Sequence, residues 1–201
     1  MTSLLLVRHG HVAGILPKRF RGRMDLPLSD EGREQATKAA EYLASRYRPD
    51  VVYTSPLQRC RDSAAALTGR VGLPAPLVEP GFTDTDYGLW QGRLATEVAQ
   101  EEPVLHAQWR ETPDRVRFPQ GESLADVAAR ATAGLSTLVS RHEGKTIVAY
   151  SHDSVLRVLL LSTMGAPLGA YHRLEIDPCS LSELHCEPAL IRIVRINERT
   201  D

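Results

Sequence analysis

Three short runs of apolar and β-branched residues, Leu4 to Arg8, Asp50 to Thr54 and Thr146 to Ser151, alternate with segments whose apolar residues recur at helical spacing. That alternation leaves few ways to fold. A short run that is apolar on both faces needs cover on both sides, and helices laid over a parallel sheet supply it. Ser29, followed by Asp30 and Glu31, is a helix cap with acids in the first turn, and Ala36, Ala39, Ala40, Leu43 and Tyr47 follow at helical positions. Ser55-Pro56 reads as the cap and first-turn proline of a second helix carrying Arg59, Ala64 and Leu67. From Gly69 to Gly92 the chain is loop-rich, and short helices are expected between Leu94 and Glu111. Leu124, Val127, Ala131, Leu135 and Leu138 form an amphipathic stripe opened by Glu122-Ser123, and an apolar helix is expected from Ser154 to Met164. The tail predicts edge strands at His172 to Ile176, Ser180 to His185 and Leu190 to Ile196. The expected fold is a single three-layer α/β/α domain over residues 1–201 with a central, mostly parallel sheet.

Charge narrows the function classes. With 24 Lys plus Arg against 25 Asp plus Glu, the net charge of −1 argues against a partner of the nucleic-acid or acidic-membrane type, because such binders carry a basic excess. The average hides a local asymmetry: residues 1–24 hold Arg8, Lys18, Arg19, Arg21 and Arg23 and no acid, so they carry +5. Leu4 to Val7 is too short for a signal-peptide core, and no apolar run is long enough to span a bilayer. Cys60, Cys179 and Cys186 form neither a paired framework nor a metal-like spacing, which suits a reducing, cytoplasmic setting.

In an open parallel sheet, chemistry gathers beyond the carboxyl ends of the strands. Arg8-His9-Gly10, Ser55 to Arg59 and Ser151-His152 all lie there. Arg8 and Arg59 can each present a fork of donors to an oxyanion. A neutral histidine between them can attack phosphorus, provided that a turn carbonyl near Gly10 orients its other ring nitrogen. The departing oxygen then needs a proton, and the loop from Phe82 to Gly92 offers Asp84 and Asp86.

Leu6-Val7-Arg8-His9-Gly10 resembles the signature of the histidine phosphatase superfamily, which includes cofactor-dependent phosphoglycerate mutases. Further similarities follow in the family's order: Arg19-Phe20-x-Gly22-x-x-Asp25-x-Pro27-Leu28-Ser29, Thr54-Ser55-Pro56-Leu57-x-Arg59, Asp86-Tyr87-Gly88-x-Trp90-x-Gly92, Gly121-Glu122-Ser123 and Ser151-His152. The resemblance implies that His9 becomes phosphorylated, that Arg8, Arg59 and His152 cradle the phosphoryl group, and that neither metal nor other cofactor is used; during attack on phosphorus His152 is expected to be protonated. Asp84 aligns with the acid position, where the family usually has glutamate, and Asp86 is the alternative. Position 15 holds Ile where many members have a phosphate-touching asparagine. Arg21, where a small or amide residue is common, is a candidate replacement, and Arg19 a further substrate contact. A glycine commonly follows the second histidine, whereas this chain has Asp153, a carboxylate that would repel an anion placed beside it.

These features imply hydrolysis of a small phosphorylated metabolite. Mutase-type transfer is the rival within the family, but only 28 residues separate Gly92 from Gly121, little chain with which to close the site against water. His9-Gly10-His11 also matches a metal-hydrolase HxH pattern and His185-Cys186 to Arg192 a cysteine-phosphatase HC-x5-R pattern. A barrel hydrolase needs a longer chain, and Pro188 interrupts the phosphate loop that the second would require. The segment Val116 to Ser123 is similar to metal-independent phosphoserine phosphatases, and the C-terminal strands offer an edge for a homodimer.

Overall fold

The computed structural model describes residues 1–13, 17–188 and 190–200, so Ile15 lies outside the described residues. Strand β1 (Thr2–Arg8) runs parallel to β4 (Thr146–Ser151), which is parallel to β2 (Val51–Thr54), itself parallel to the short β3 (Leu77–Val78). The tail turns back as β5 (Leu181–Glu187), antiparallel to β1, and then β6 (Leu190–Glu198), giving the order β3-β2-β4-β1-β5-β6. The sheet is therefore mixed, with the antiparallel pair confined to one edge.

Leu4, Leu5, Leu6 and Val7 are all fully buried because β1 is covered on both faces. Leu5 and Val7 pack with Ala40 and Leu43 of α1 (Asp30–Arg46) and with Cys60, Ala64 and Leu67 of α2 (Gln58–Val71). Leu4 and Leu6 point the other way, toward Val127 and Ala131 of α5 (Leu124–Arg141) and Val155 and Leu159 of α6 (Asp153–Thr163). The period-2 alternation of a strand thus assigns each residue to one of two helical layers. Both long helices start as their sequences predict: Ser29 Oγ accepts from Gly32 N at 3.0 Å, and Ser123 with Asp126 forms a capping box.

Between β3 and α5 the chain builds an annex over the carboxyl end of the sheet. It contains α3 (Ala95–Glu101), α4 (Pro103–Glu111) and several 3₁₀ turns. Phe20, Tyr87, Trp90, Trp109 and Phe118 hold it down through edge and tilted ring contacts of 4.8–5.3 Å. Gly88 is required in this annex: its φ is +51°, and a Cβ there would lie 2.0 Å from the Pro119 carbonyl oxygen.

Two expectations are corrected, and the rejection of the HC-x5-R match stands. Ser55-Pro56 does not cap α2; the cap is Leu57, without a side-chain bond, because the Ser55 hydroxyl is committed to His152 at 2.7 Å. His172 to Ile176 is not a strand: Leu168–Arg173 forms 3₁₀ turns that bury Tyr171 against Trp109. Cys186 lies within β5, paired with Thr2 of β1, so the HC-x5-R match has no phosphate loop. No helix among the described residues is long and apolar enough to cross a membrane.

Candidate active site

The three strand-end segments converge. His9 follows the last residue of β1, and its backbone N–H donates to Ser151 O at 3.1 Å, tying it to the end of β4. The turn is tight because Gly10 abuts the start of α1; a Cβ on Gly10 would lie 2.4 Å from Gly32 O. The His9 ring is buried, with Nδ1 2.7 Å from Gly10 O and Nε2 3.2 Å from the Arg59 Nε donor. This pairing places the ring proton on Nδ1 and the lone pair on Nε2. Burial, reinforced by His152, Arg59 and Arg8, holds the His9 pKa well below the usual histidine value, so the imidazole is neutral.

Arg59, at the start of α2, is fully buried and bridges the cluster. Its Nη1 donates to Met24 O at 2.7 Å, and its Nη2 donates to Gly22 O at 2.8 Å and to Asp84 Oδ2 at 2.9 Å. The other Asp84 oxygen accepts from Ser154 Oγ at 2.5 Å and from Thr85 N at 2.9 Å. His152 lies 5.2 Å from His9 between ring centres, with Nδ1 3.6 Å from Asp84 Oδ2. Burial first, then Arg59 and Arg130, pushes the His152 pKa well below the usual value, so in the free protein the ring is neutral.

A pocket of about 310 Å³ opens above these groups, lined at its inner end by Arg8, His9, Arg21 and Asp84. Arg59 and His152 stand behind this wall, held to His9 and Asp84 by the contacts above. Arg8 donates through Nη1 to Ile176 O at 2.5 Å, while its buried Nε has no hydrogen-bond partner. Arg21 faces the pocket and not bulk solvent; burial and the neighbouring Arg8 lower its pKa. Arg19 lines the outer wall with its guanidinium turned to Gly92 O. Asp86 is directed away, accepting from Gly88 N at 2.9 Å and facing Arg23 at 3.3 Å. His11 also leaves the site, its Nδ1 lying 2.7 Å from Ser29 Oγ, so the HxH pair does not converge. No group of three or more His, Cys, Asp or Glu among the described residues has the arrangement of a metal site.

A buried, neutral imidazole after β1, flanked by Arg8 and by Arg59 from the helix after β2, is the arrangement the motifs imply, and the profile of the Histidine phosphatase superfamily (branch 1) matches residues 4–199. The chain belongs to that superfamily. Phosphoserine phosphatase 1 of Hydrogenobacter thermophilus is 33% identical over 197 residues, covering 98% of this chain and 92% of that protein. A bifunctional protein of Mycobacterium tuberculosis is 35% identical over 181 residues, and the match covers 90% of this chain but 49% of that protein. The chain thus spans about half the length of the mycobacterial relatives it matches. Among solved structures, the mycobacterial glucosyl-3-phosphoglycerate phosphatase complexed with VO3 superposes with a TM-score of 0.86 at 28% identity, covering 98% of each chain.

Within this member of the superfamily, three residues of the site escape a reading of the sequence. Ser55 bonds His152 Nε2, Ser154 bonds Asp84, and Arg130 of α5 secures the acid loop from behind. Arg130 Nη1 donates to Gly81 O at 2.7 Å and Thr83 O at 2.6 Å, and Nη2 donates to Asp84 O at 3.2 Å. Glu122 orients that guanidinium at 2.8 and 3.0 Å. The available signal was Gly121-Glu122-Ser123, a motif whose carboxylate had no assigned partner; Arg130 lies two helical turns further on. Arg130→Gln is expected to lower kcat about a hundredfold on a phosphomonoester while leaving the fold intact by circular dichroism, because small displacements of a reacting group are costly. Unchanged kcat would show that the clamp does not position Asp84.

Proposed function

We propose that this chain is a metal-independent phosphomonoesterase that acts on a small phosphorylated metabolite through a phosphohistidine intermediate on His9. The observation that carries the reading is the neutral His9 ring, fixed through Nδ1 by Gly10 with its Nε2 lone pair set among Arg8, Arg21 and Arg59. The phosphatases named among its relatives support it.

In the first step Nε2 attacks phosphorus and the P–O bond to the leaving group breaks. Asp84, entering this step as the acid, passes its proton to the leaving oxygen. Arg59 transfers donors from His9 and Asp84 to the equatorial oxygens. Arg8, with an unused buried Nε, and Arg21 supply further donors, and neutral His152 donates through Nδ1 while the Ser55 hydroxyl occupies Nε2. In the second step Asp84 takes a proton from water as it attacks phosphohistidine, and inorganic phosphate leaves. Hydrolysis is favoured over mutase-type transfer because the 28 residues between Gly92 and Gly121 pack into the annex. The three cysteines are buried thiols, consistent with a cytoplasmic setting.

Mass spectrometry after an alkaline denaturing quench, which spares the acid-labile N–P bond, during turnover of p-nitrophenyl phosphate in EDTA tests this reading. The expected result is phosphate on the peptide containing His9, with undiminished activity. Because His9 is neutral well below the usual histidine pKa, kcat/KM is expected to show no break near 6.5 assignable to the nucleophile. Activity abolished by EDTA, or phosphate mapped to another residue, would overturn the assignment.

A further inference from the structure

The pocket continues outward past the groups that bind the reacting phosphate. A second hollow of about 220 Å³ adjoins it, and the two share Lys18, Phe20 and Trp109. Phe20, Trp109 and Ala99 give this outer hollow an apolar floor, while Lys18, His106 and Arg110 supply its polar atoms. Lys18 and Arg110 are exposed, and among the described residues no ion pair or side-chain hydrogen bond engages either of them. Glu102, one turn before His106, is committed to Trp90 Nε1 at 3.0 Å and Arg93 at 2.8 Å, and Glu111 lines neither hollow.

Lone exposed cations are ordinarily just solvated. These differ because they crowd together in a chain whose net charge is −1. Partial desolvation in the hollow, then Arg110, lowers the Lys18 pKa with Asp153 opposing the shift, and desolvation followed by Arg110 and Lys18 lowers that of His106. Like charges held at mutual cost over an apolar floor gain when an anion settles between them. Nearer the phosphate, Asp153 lines the same pocket and pairs with Arg157 Nε at 2.7 Å, so the middle of the groove is close to neutral.

We propose that Lys18, Arg110 and His106 form a subsite for a second, remote oxyanion on the substrate, carboxylate or phosphodiester, while the Asp153–Arg157 pair leaves no net positive charge for an anion directly beside the reacting phosphate. Resting on the phosphatase reading, this defines the substrate as a phosphomonoester with a distal negative charge and an uncharged or hydroxylated middle.

The test compares ω-carboxyalkyl phosphates of increasing chain length, and an alkyl phosphate ending in a methyl phosphodiester, with uncharged alkyl phosphates of matched length. Wild type is expected to favour a longer charged ester about tenfold in kcat/KM, mainly through KM, since two partly exposed ion pairs contribute that much together. The Lys18→Gln/Arg110→Gln double variant is expected to lose that preference and to hydrolyse p-nitrophenyl phosphate within about twofold of wild type, the preference fading with salt as exposed pairs do. Whichever charged series shows the preference identifies the anion. Calorimetric binding of the matching phosphonates reads the subsite without turnover. If p-nitrophenyl phosphate is not hydrolysed yet charged phosphonates bind more tightly than uncharged ones in wild type only, the catalytic reading fails and the subsite stands. No preference for either charged series at any length, or a preference that survives in the double variant, overturns the subsite.

Discussion

Replacing His9 with Ala is expected to lower phosphomonoester turnover by about four to six powers of ten, the scale on which removal of a nucleophile acts. No other group can take over. His152 is the nearest imidazole, but its Nε2 is held by Ser55 and the ring is fully enclosed behind Asp84. Cys60 is also close, yet burial raises its thiol pKa far above neutrality and its Sγ donates to Ser151 O at 3.4 Å. The substitution removes a buried ring, so the loss counts only if thermal unfolding shows a folded variant. Calorimetry with inorganic phosphate supplies a second control, because Arg8, Arg21 and Arg59 remain. Activity within tenfold of wild type in a folded His9→Ala protein would end the phosphohistidine proposal.

The second large effect is expected at Asp84. Asp84→Asn keeps the size of the side chain but removes the transferable proton, so hydrolysis of an alkyl phosphate is expected to fall about 10²- to 10⁴-fold, with p-nitrophenyl phosphate losing about tenfold or less. The difference arises because p-nitrophenolate departs without help. Loss of charge also weakens the contact with Arg59 at 2.9 Å, a structural cost that would affect both esters equally. The ratio between esters, not the absolute loss, therefore reports proton transfer. Asp84→Glu is expected to recover part of the alkyl phosphate rate. Equal losses on both substrates, or the selective pattern appearing instead in Asp86→Asn, would move the acid role away from Asp84.

Much of this site is legible in one dimension because strand ends concentrate chemistry in a parallel sheet. Arg8-His9, Arg59 and Ser151-His152 could be read as converging once β1, β2 and β4 were recognised as buried strands. What escaped depends on contacts between elements. Ser55 looked like a helix cap because serine before proline usually is one; only the position of His152 above it redirects the hydroxyl. Nothing local marks Arg130 as more than a helical arginine, because the loop carbonyls that face it lie nearly fifty residues earlier in the chain. The His172 to Ile176 segment carries strand-like residues, but burial of Tyr171 against Trp109 outweighs that local preference.

The protonation of His152 has the same lesson in electrostatics. Charge near a phosphate site suggests an imidazolium, whereas enclosure beside Arg59, Arg130, Arg8 and Arg21 makes the neutral ring more stable. Periodicity, caps and strand ends, all short-range properties of the chain, were enough to determine the α/β layering and to bring Arg8, His9, Arg59 and His152 together as candidates, while the ordered motifs carried the resemblance to the superfamily. The turning of Asp86 away from the pocket, the orientation of Arg21, the neutrality of His152 in the free protein and the basic outer hollow were decided only by tertiary structure. Each depends on how residues distant in sequence exclude water and place charges beside one another, which no local pattern encodes.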